Sequence, residues 1–263
     1  MNRPKKSLGQ NFLIDNNIIN KIIALSNIPN NNIVEIGPGT GNLTKKILEN
    51  KPKSLILIEK DRKLLNDLKL TLVNQKNLKI FNEDILKFQL EDHIIKDSII
   101  VGNLPYNISS QILAKLIKFK IWPPKYKKLI LMFQKEVADK ILAKHASSDF
   151  GRLAILTSAR LKIINFFNIS KNCFYPIPKV ESTVLVFEPI INYDFRVRDI
   201  ANLEKVTHVF FSKKRKMINK GFKTLFSNPS EIANIINIDL SLRPNQISEK
   251  KYYQITEYFE KKK

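Results

Sequence analysis

The amino-acid sequence predicts an α/β fold, in which a doubly wound, mostly parallel sheet is followed by a small helical domain. From residue 18 to residue 144, short β-branched apolar segments alternate with segments whose apolar residues recur at helical spacing. Two later strand-like segments have no clear helix between them, which indicates an antiparallel hairpin at one edge of the sheet. After Pro189 helical spacing prevails and basic residues outnumber acidic ones, so we expect one domain over residues 1–189 and another over residues 190–263.

The elements follow one another with recognisable boundaries. We expect residues 5–13 to form an ordered arm and Asp15 to cap the first helix. The predicted strands, which are short and rich in Ile, Leu and Val, span 33–36, 54–58, 78–81, 98–101, 128–134, the second part of 153–167, and 182–187. The predicted helices span 18–25, 42–48, 61–73, 109–119, 135–144 and the first part of 153–167.

Length and composition narrow the class of protein. The 263 residues are enough for a large domain and a small one. No apolar run approaches the roughly 18 residues of a membrane helix, and no signal-peptide core follows the basic N-terminus. One cysteine, Cys173, excludes an intramolecular disulfide framework and a cysteine-based zinc site. The three histidines are scattered, which argues against a metal site. From these features together we expect a cytoplasmic protein with no membrane contact.

The charge of the chain indicates a polyanionic partner. The formal net charge is +21 and the sequence pI is about 9.9. Nucleic acid is the commonest partner of such a protein. Compositional bias is the alternative, because 37 of the 45 basic residues are lysine and asparagine and isoleucine are abundant, as an AT-rich genome would produce.

The first predicted strand ends in a glycine-rich turn, residues 35–41 with the sequence EIGPGTG. Gly37 and Gly39 allow a tight turn and a close approach of the backbone to a ligand. The turn lacks both the GxGxxG pattern of dinucleotide folds and the lysine of a P-loop. A proline between the glycines and a preceding acid favour S-adenosylmethionine (SAM), which has no pyrophosphate; a glycine turn without a ligand is the alternative.

Acidic residues follow the next two strands. Glu59 ends the second strand, where a carboxylate can accept both ribose hydroxyls of a nucleoside cofactor. Asp84 ends the third strand, where it can accept a hydrogen bond from an adenine amine while Ile85 packs on the ring. Either acid alone could be a solvated surface group, but three successive strand ends of this kind together indicate a nucleoside site.

Residues 103–106, Asn103, Leu104, Pro105 and Tyr106, stand where the fourth strand leads into a helix. Ligands of open α/β sheets bind at such strand ends, although an ordinary turn would look similar. The exocyclic amine of adenine is a poor nucleophile, because its lone pair is delocalised into the ring. The Asn103 side-chain oxygen and the Leu104 carbonyl could accept its two N–H groups, Pro105 stiffens the turn, and Tyr106 can stack on an extruded base.

These motifs resemble those of the ribosomal RNA small-subunit adenine N6,N6-dimethyltransferases (the KsgA/RsmA group), over nearly the whole chain. The resemblance is carried by residues 9–13 (GQNFL), 35–41 (EIGPGTG), 59–61 (EKD), Asp84, 102–109 (GNLPYNIS) and 174–182 (FYPIPKVES). Leu8 departs conservatively from the family, which often has Phe there. The resemblance implies a class I SAM-dependent methyltransferase fold, Rossmann-like with a seven-stranded sheet.

The resemblance also implies the site and the substrate. The residues lining the SAM site would be Asn11, Leu13, Gly37, Glu59, Asp84 and Asn103. Phe174 would stack on the target adenine opposite Tyr106. The substrate would be two adjacent adenines in a hairpin loop near the 3′ end of small-subunit (16S) ribosomal RNA, each of which receives two methyl groups. The partner would be the immature 30S subunit, and the enzyme a monomer.

A basic run near the C-terminus resembles the family's C-terminal basic motif. It contains Lys213, Lys214, Arg215 and Lys216 beside apolar Phe211. Contact with RNA phosphates is our interpretation, and a solvated helix face is the alternative. Arg152 could also contact RNA, although structural packing explains it equally well.

Two other functions share these motifs. A large-subunit rRNA methyltransferase of the antibiotic-resistance type would have every motif up to residue 188, but the C-terminal motifs favour the small-subunit enzyme. A non-catalytic assembly or transcription factor could hold nucleic acid on the same fold, but the intact residues 103–106 argue against it. A second role as an assembly checkpoint stays a hypothesis.

Overall fold

The computed structural model describes residues 4, 9–72, 75–192, 195 and 197–261. Residues 5–8 of the predicted arm, Leu8 among them, lie outside the described residues, as does Val73 at the predicted end of a helix.

The chain divides into two compact units. The described residues of segments 1–115, 121–138 and 163–189 form the first unit. The second contains segments 116–120 and 139–162 together with the described residues from 190 onward. One change between units thus falls at the predicted boundary, but the second unit also takes in two earlier segments. The division into domains at residue 189 stays a prediction.

The first unit contains the seven-stranded, mostly parallel sheet that the sequence predicts. With the strands numbered along the chain, as given at the end of this paragraph, their order across the sheet is 4-3-2-5-6-9-7. Pairing is parallel from the fourth strand across to the sixth, and antiparallel between the sixth and the ninth. The two late strands, the seventh and the ninth, are neighbours at one edge of the sheet, where the sequence predicts an antiparallel hairpin. The described strands are β1 (Phe12–Leu13), β2 (Asn32–Ile36), β3 (Ser54–Ile58), β4 (Leu78–Phe81), β5 (Ser98–Asn103), β6 (Tyr126–Gln134), β7 (Leu161–Ile169), β8 (Phe174–Tyr175) and β9 (Ser182–Pro189).

The helices begin and end close to the predicted positions. Asp15 caps the first helix, since its Oδ1 atom accepts from the backbone N–H groups of Asn17 and Ile18. The stretch 153–167 divides into helix and then strand, as predicted. The described helices are α1 (Asn16–Ser26), α2 (Asn42–Glu49), α3 (Arg62–Thr71), α4 (Leu90–His93), α5 (Ser109–Ile117), α6 (Lys135–Leu142), α7 (Arg152–Arg160), α8 (Ile200–Phe211), α9 (Asn219–Leu225), α10 (Pro229–Ile235) and α11 (Glu249–Lys261).

The sheet is buried on both faces, which explains why its central strands are continuous apolar runs. In β5, the consecutive residues Ile99, Ile100 and Val101 are all buried although their side chains alternate between the faces. On one face, Ile99 and Val101 belong to a core cluster that includes Ile19 of α1 and Ile47 of α2. This packing holds the strands in register and brings their carboxyl ends to one edge.

Two short strands were not predicted. β1 and β8 pair antiparallel, with Phe12 opposite Tyr175 and Leu13 opposite Phe174. Segments of two residues show no hydrophobic periodicity, so nothing local in the sequence indicates them. Their pairing attaches the N-terminal segment to residues that lie far along the chain.

The second unit is helical. Helix α8 packs against α7 and α11, and the Phe210 and Tyr252 rings lie 5.8 Å apart. Residues 213–216 form an exposed turn after α8. The alternative to a phosphate-binding role, a solvated helix face, therefore does not apply to them. Within the described ranges, no helix combines the length and apolar character needed to cross a bilayer.

Candidate active site

The carboxyl ends of the parallel strands are held level by backbone hydrogen bonds beyond the strands themselves. Gly37 N–H donates to the Ile58 carbonyl at 2.9 Å, and Glu59 N–H donates to the Phe81 carbonyl at 3.0 Å. The side chains that follow β2, β3 and β4 therefore converge. A cavity of about 240 Å³ lies at this edge of the first unit.

The structure brings most of the sequence-predicted residues together around this cavity, and all of those lie in the first unit. Phe174 and the predicted RNA-binding residues do not line it. The lining residues that the sequence predicted are Asn11, Leu13, Gly37, Gly39, Glu59, Asp84, Ile85, Asn103, Leu104, Pro105 and Tyr106.

The glycine-rich turn needs glycine for two separate reasons. Gly37 and Gly39 adopt φ angles of +67° and +59°, in the left-handed region that other residues rarely enter. A Cβ atom at Gly39 would also lie 2.9 Å from the Phe12 ring. The backbone conformation therefore favours glycine at both positions, and packing beneath the N-terminal segment requires it at Gly39.

Glu59 is buried, and its two oxygens are each held by the backbone. Oε2 accepts from Gly39 N–H at 3.1 Å, and Oε1 accepts from Asp61 N–H at 2.8 Å. Each carboxylate oxygen can accept a second hydrogen bond, so the group is oriented and still able to receive hydroxyls. Burial raises the pKa of the Glu59 carboxyl, and the backbone donors only partly oppose this effect.

Asp84 is more exposed than Glu59, and a cation is its hydrogen-bond partner. Its Oδ2 atom lies 2.9 Å from the Lys60 ammonium, and its Oδ1 atom accepts from Leu86 N–H. The hydrogen bond from Lys60 lowers the pKa of the Asp84 carboxyl, so this residue stays ionised to more acidic pH than Glu59. The adjacent Ile85 is buried and supplies an apolar wall of the cavity.

Asn103 ends β5, and its amide is oriented by the N-terminal segment. Its Nδ2 atom donates to the Asn11 carbonyl at 2.7 Å, which directs Oδ1 away from that carbonyl. Among the described residues, no donor is recorded for Asn103 Oδ1 or for the Leu104 carbonyl. The turn therefore presents two available acceptors that are fixed in position before any ligand arrives.

Tyr106 and Phe174 have different environments. Tyr106 is half-buried and lines the cavity, and its hydroxyl lies 2.6 Å from Ser182 Oγ. Burial raises the pKa of this phenol. Phe174 is only 1% exposed and packs in the core cluster with Leu13, whereas the neighbouring Tyr175 is 50% exposed. The stacking role of Phe174 requires its ring to leave the core, and it stays a prediction.

Residues 9–13 form part of the cavity wall, and sequence reasoning pointed to them only through the family resemblance. Gln10 donates to Asp61 Oδ2 at 3.1 Å, and Asn42 donates to the Leu13 carbonyl at 2.8 Å. Together with the Asn103–Asn11 contact, these bonds tie the segment to the beginning of α2, the beginning of α3 and the end of β5. No local pattern could have revealed them, because the partners are distant in sequence.

Glu35 is a buried acid in the cavity wall to which sequence reasoning gave no specific role. It belongs to β2 and accepts from the Thr44 hydroxyl at 2.7 Å. Burial raises the pKa of Glu35 to about 8; the Thr44 hydrogen bond opposes this, and the nearby Glu59 charge adds to it. Near neutral pH, Glu35 therefore favours its protonated form, whereas the sequence of the glycine-rich turn by itself indicates a carboxylate.

The predicted RNA-binding residues all lie in the second unit. Arg152 begins α7, and its guanidinium lies 3.7 Å from Glu204. Lys213, Lys214, Arg215 and Lys216 are exposed in the turn after α8, and Lys214 donates to the Ser148 carbonyl at 2.6 Å. In the part of the chain that the structure describes, no cluster of three or more His, Cys, Asp or Glu side chains could hold a metal ion.

The position of the cavity and the acceptors that line it fit a nucleoside cofactor such as SAM. A buried acid, a partly exposed acid and an apolar wall follow one another at the ends of β3 and β4. The acidic groups suit the positive charge of SAM, and the available acceptors of the turn lie on the same cavity.

The chain is similar to known proteins over its whole length. A family model described as Ribosomal RNA adenine dimethylase matches residues 1–261. The "Ribosomal RNA small subunit methyltransferase A" of Pelagibacter ubique (strain HTCC1062) is 43% identical, over 98% of this chain and 97% of its own length. The protein of the same name from Protochlamydia amoebophila (strain UWE25) is 38% identical, over 89% and 83%.

Solved structures show the same architecture. A dimethyladenosine transferase from Plasmodium falciparum superposes with a TM-score of 0.76 at 26% identity, covering 95% of this chain and 98% of its own. The 23S rRNA methyltransferase ErmE superposes with a TM-score of 0.68 at 20% identity, covering 95% and 99%, and shares the fold.

Proposed function

Because the chain belongs to the ribosomal RNA adenine dimethylase family, we propose that it dimethylates the N6 amines of two adjacent adenines in the 3′-terminal hairpin loop of small-subunit (16S) ribosomal RNA. The chain is an rRNA adenine methyltransferase, and its cofactor is SAM. The two adenines, the hairpin and the roles of individual residues are what we propose beyond this.

One observation carries the proposal, namely the pair of available acceptors on the cofactor cavity. Asn103 Oδ1 and the Leu104 carbonyl would each accept one N–H of the adenine amine. Such acceptors favour a pyramidal nitrogen whose lone pair is no longer delocalised into the ring. Both acceptors are neutral groups, so neither has to change its protonation state. SAM, when bound, supplies a methyl group on a positively charged sulfur atom. The protein contributes orientation and preorganised dipoles.

The remaining residues of the cavity would hold the cofactor and the base. Glu59 would accept the ribose hydroxyls, and Asp84 would accept from the adenine amine of the cofactor while Ile85 packs on its ring. The Tyr106 ring would stack on the target base once it is extruded from its helix. Phe174 would form the opposite wall by turning out of the core.

The partner we propose is the immature 30S subunit, which a monomeric enzyme reaches in the cytoplasm. The basic excess of the chain supports a long polyanionic partner. Lys213, Lys214, Arg215 and Lys216 would contact its phosphates, and Arg152 would contribute if its contact with Glu204 opens.

The test is methyl transfer from labelled SAM to small subunits that lack the modification and, separately, to large-subunit RNA. We expect dimethyladenine in two adjacent positions of the small-subunit RNA and none in the large-subunit RNA. Labelling of the large-subunit RNA alone would favour the resistance-type activity. No labelling of either RNA by an enzyme that binds SAM would contradict the proposal.

A further inference from the structure

Ser182 contacts the turn that carries the proposed chemistry without lining the cavity. Its Oγ atom lies 2.6 Å from the Tyr106 hydroxyl, and either oxygen could be the donor. The side chain is fully buried. Sequence reasoning placed the contribution of residues 174–182 on Phe174, at the beginning of that segment, while this contact lies at its end.

The position of Ser182 is fixed by the sheet. It is the first residue of β9 and lies opposite Gln134, the last residue of β6. Just before it, the Glu181 carbonyl accepts from Lys135 N–H at 2.9 Å. Since β6 also pairs with β5, Tyr106 reaches across the end of β6 to a rigid partner on the second strand away.

The contact with Ser182 restrains the side chain of Tyr106, which the hydrogen bonds of the turn's backbone leave free to move. The turn fixes its main chain, because the Pro105 carbonyl accepts from Ile108 N–H and the Tyr106 carbonyl accepts from Ser109 Oγ. The side chain of a half-exposed tyrosine would still swing about its Cα–Cβ bond between staggered positions. A hydrogen bond at the far end of the ring fixes the position of the hydroxyl and so holds the whole ring in one of these positions.

We propose that Ser182 is a positioning residue that fixes the Tyr106 ring as the stacking face for the target adenine. This inference rests on the proposed stacking role of Tyr106. A base that stacks on a fixed ring brings its amine to Asn103 and Leu104 in one orientation. A mobile ring would admit the base and yet align the amine in only a fraction of encounters.

The experiment compares Ser182→Ala, Tyr106→Phe and the double variant in single-turnover methyl transfer to small subunits. Rates are expressed per SAM-binding site, so that misfolded protein does not count. Each single variant should slow transfer about three- to tenfold, the effect of one neutral hydrogen bond, with unchanged SAM affinity. The double variant should be no slower than the slower single variant, because both changes remove the same contact.

Thr183→Val is the matched control. Thr183 is the next residue of β9, equally buried, and its hydroxyl donates to Asn168 Oδ1 at 2.9 Å. The substitution removes one side-chain hydrogen bond from the same strand, so it should alter thermal stability and leave the rate per site unchanged. Equal slowing in Thr183→Val would mean that β9 as a whole matters, and would overturn the specific role of Ser182.

The outcomes separate the two levels of inference. If Tyr106→Ala keeps the full rate, the stacking role itself is wrong. If Tyr106→Ala is slow but Ser182→Ala and Tyr106→Phe are fast, or if their effects add in the double variant, only the anchoring is wrong. Should Ser182→Ala fail to fold, Tyr106→Phe alone decides, because it keeps the ring and removes only the oxygen.

Discussion

The cavity at the carboxyl ends of the sheet and the exposed turn of residues 213–216 hold their polar groups in opposite ways. In the cavity, Glu59, Asn103 and Tyr106 each have a specific hydrogen-bond partner; Glu59 is buried, and the other two are partly shielded from water. In the turn, four adjacent cationic side chains are exposed. The cavity is organised by geometry and the turn by charge.

This difference predicts how each region responds to mutation. A preorganised buried group has few substitutes, so its removal should abolish a specific step. An exposed cation in a cluster contributes through a screened field that its neighbours partly restore. Effects should therefore be large and specific in the cavity, and small, additive and salt-dependent in the turn.

The largest effect is expected for Asn103→Ala. It removes one of the two proposed acceptors and should slow methyl transfer about 100- to 1000-fold, with SAM affinity largely retained. The measurement is single-turnover transfer together with calorimetric SAM binding. Asn165→Ala, on an exposed position of β7, serves as the control and should behave as wild type. Full activity of Asn103→Ala would end the acceptor hypothesis.

Glu59→Ala should weaken SAM binding about 10- to 100-fold, as expected when hydrogen bonds to a buried charge are removed. Asp84→Ala should have a smaller effect, because Asp84 is more exposed and already paired with Lys60. Titration calorimetry on both variants makes the comparison. Equal reductions in affinity would show that burial does not determine which of the two acids contributes more to SAM binding.

The pH dependence distinguishes the same two acids. Glu59 accepts hydroxyls best when ionised, so its contribution is largest above its pKa and weakens as pH falls through it. Because burial raises this pKa, SAM affinity should decline at a higher pH than an ordinary glutamate would give. Glu59→Gln should flatten that decline, and Asp84→Asn should not.

Phe174→Leu tests whether the Phe174 ring leaves the core and forms a wall of the cavity. If the ring turns out to stack on adenine, transfer per SAM-binding site should fall about tenfold. Phe167→Leu alters a phenylalanine packed against the same core cluster and is the matched control. Identical rates in the two variants would leave Phe174 with a packing role alone.

Neutralising the turn should weaken RNA binding modestly and change its salt dependence. Each Lys→Gln or Arg→Gln change should reduce affinity about two- to threefold at moderate salt. Changing all four should reduce the slope of log K against log salt by about 0.7 to 0.9 for each phosphate that is no longer neutralised. Filter binding at several salt concentrations measures both quantities, and SAM affinity should stay unchanged.

The control for this experiment removes the same charge elsewhere. Lys51, Lys53, Lys76 and Lys79 are exposed, beside the amino-terminal ends of β3 and β4, away from the carboxyl edge that carries the cavity. Their replacement by glutamine should leave the salt slope unaltered. If both sets weaken binding equally, net charge acts alone and the turn has no particular role.

A last prediction concerns stability instead of catalysis or binding, and its variant is Glu35→Gln. Between an unfolded pKa of 4.5 and a folded pKa of about 8, the folded state binds the extra proton. The free energy of unfolding should therefore fall as pH rises through this range, by at most about 1.4 kcal/mol per pH unit. Glutamine cannot ionise, so chemical denaturation of the variant at several pH values should show a flatter profile.

Sequence reasoning was accurate where local pattern and the regularity of parallel sheets sufficed. Apolar runs and turn residues indicated the seven strands of the main sheet, and the residues just after the strands were recognisable as polar or glycine. The order of β6, β9 and β7 was not specified beyond an edge hairpin. Periodicity identifies a strand but contains no information about which strand lies beside it.

What the sequence alone determined is the set of groups at the strand ends, because the carboxyl ends of parallel strands must meet at one edge. Tertiary structure decided how each group is used. It set the amide of Asn103 against a carbonyl 92 positions away, joined Tyr106 to Ser182 and buried Phe174 in the core. These outcomes depend on packing between distant segments, and on the desolvation that follows from it, which no local pattern encodes.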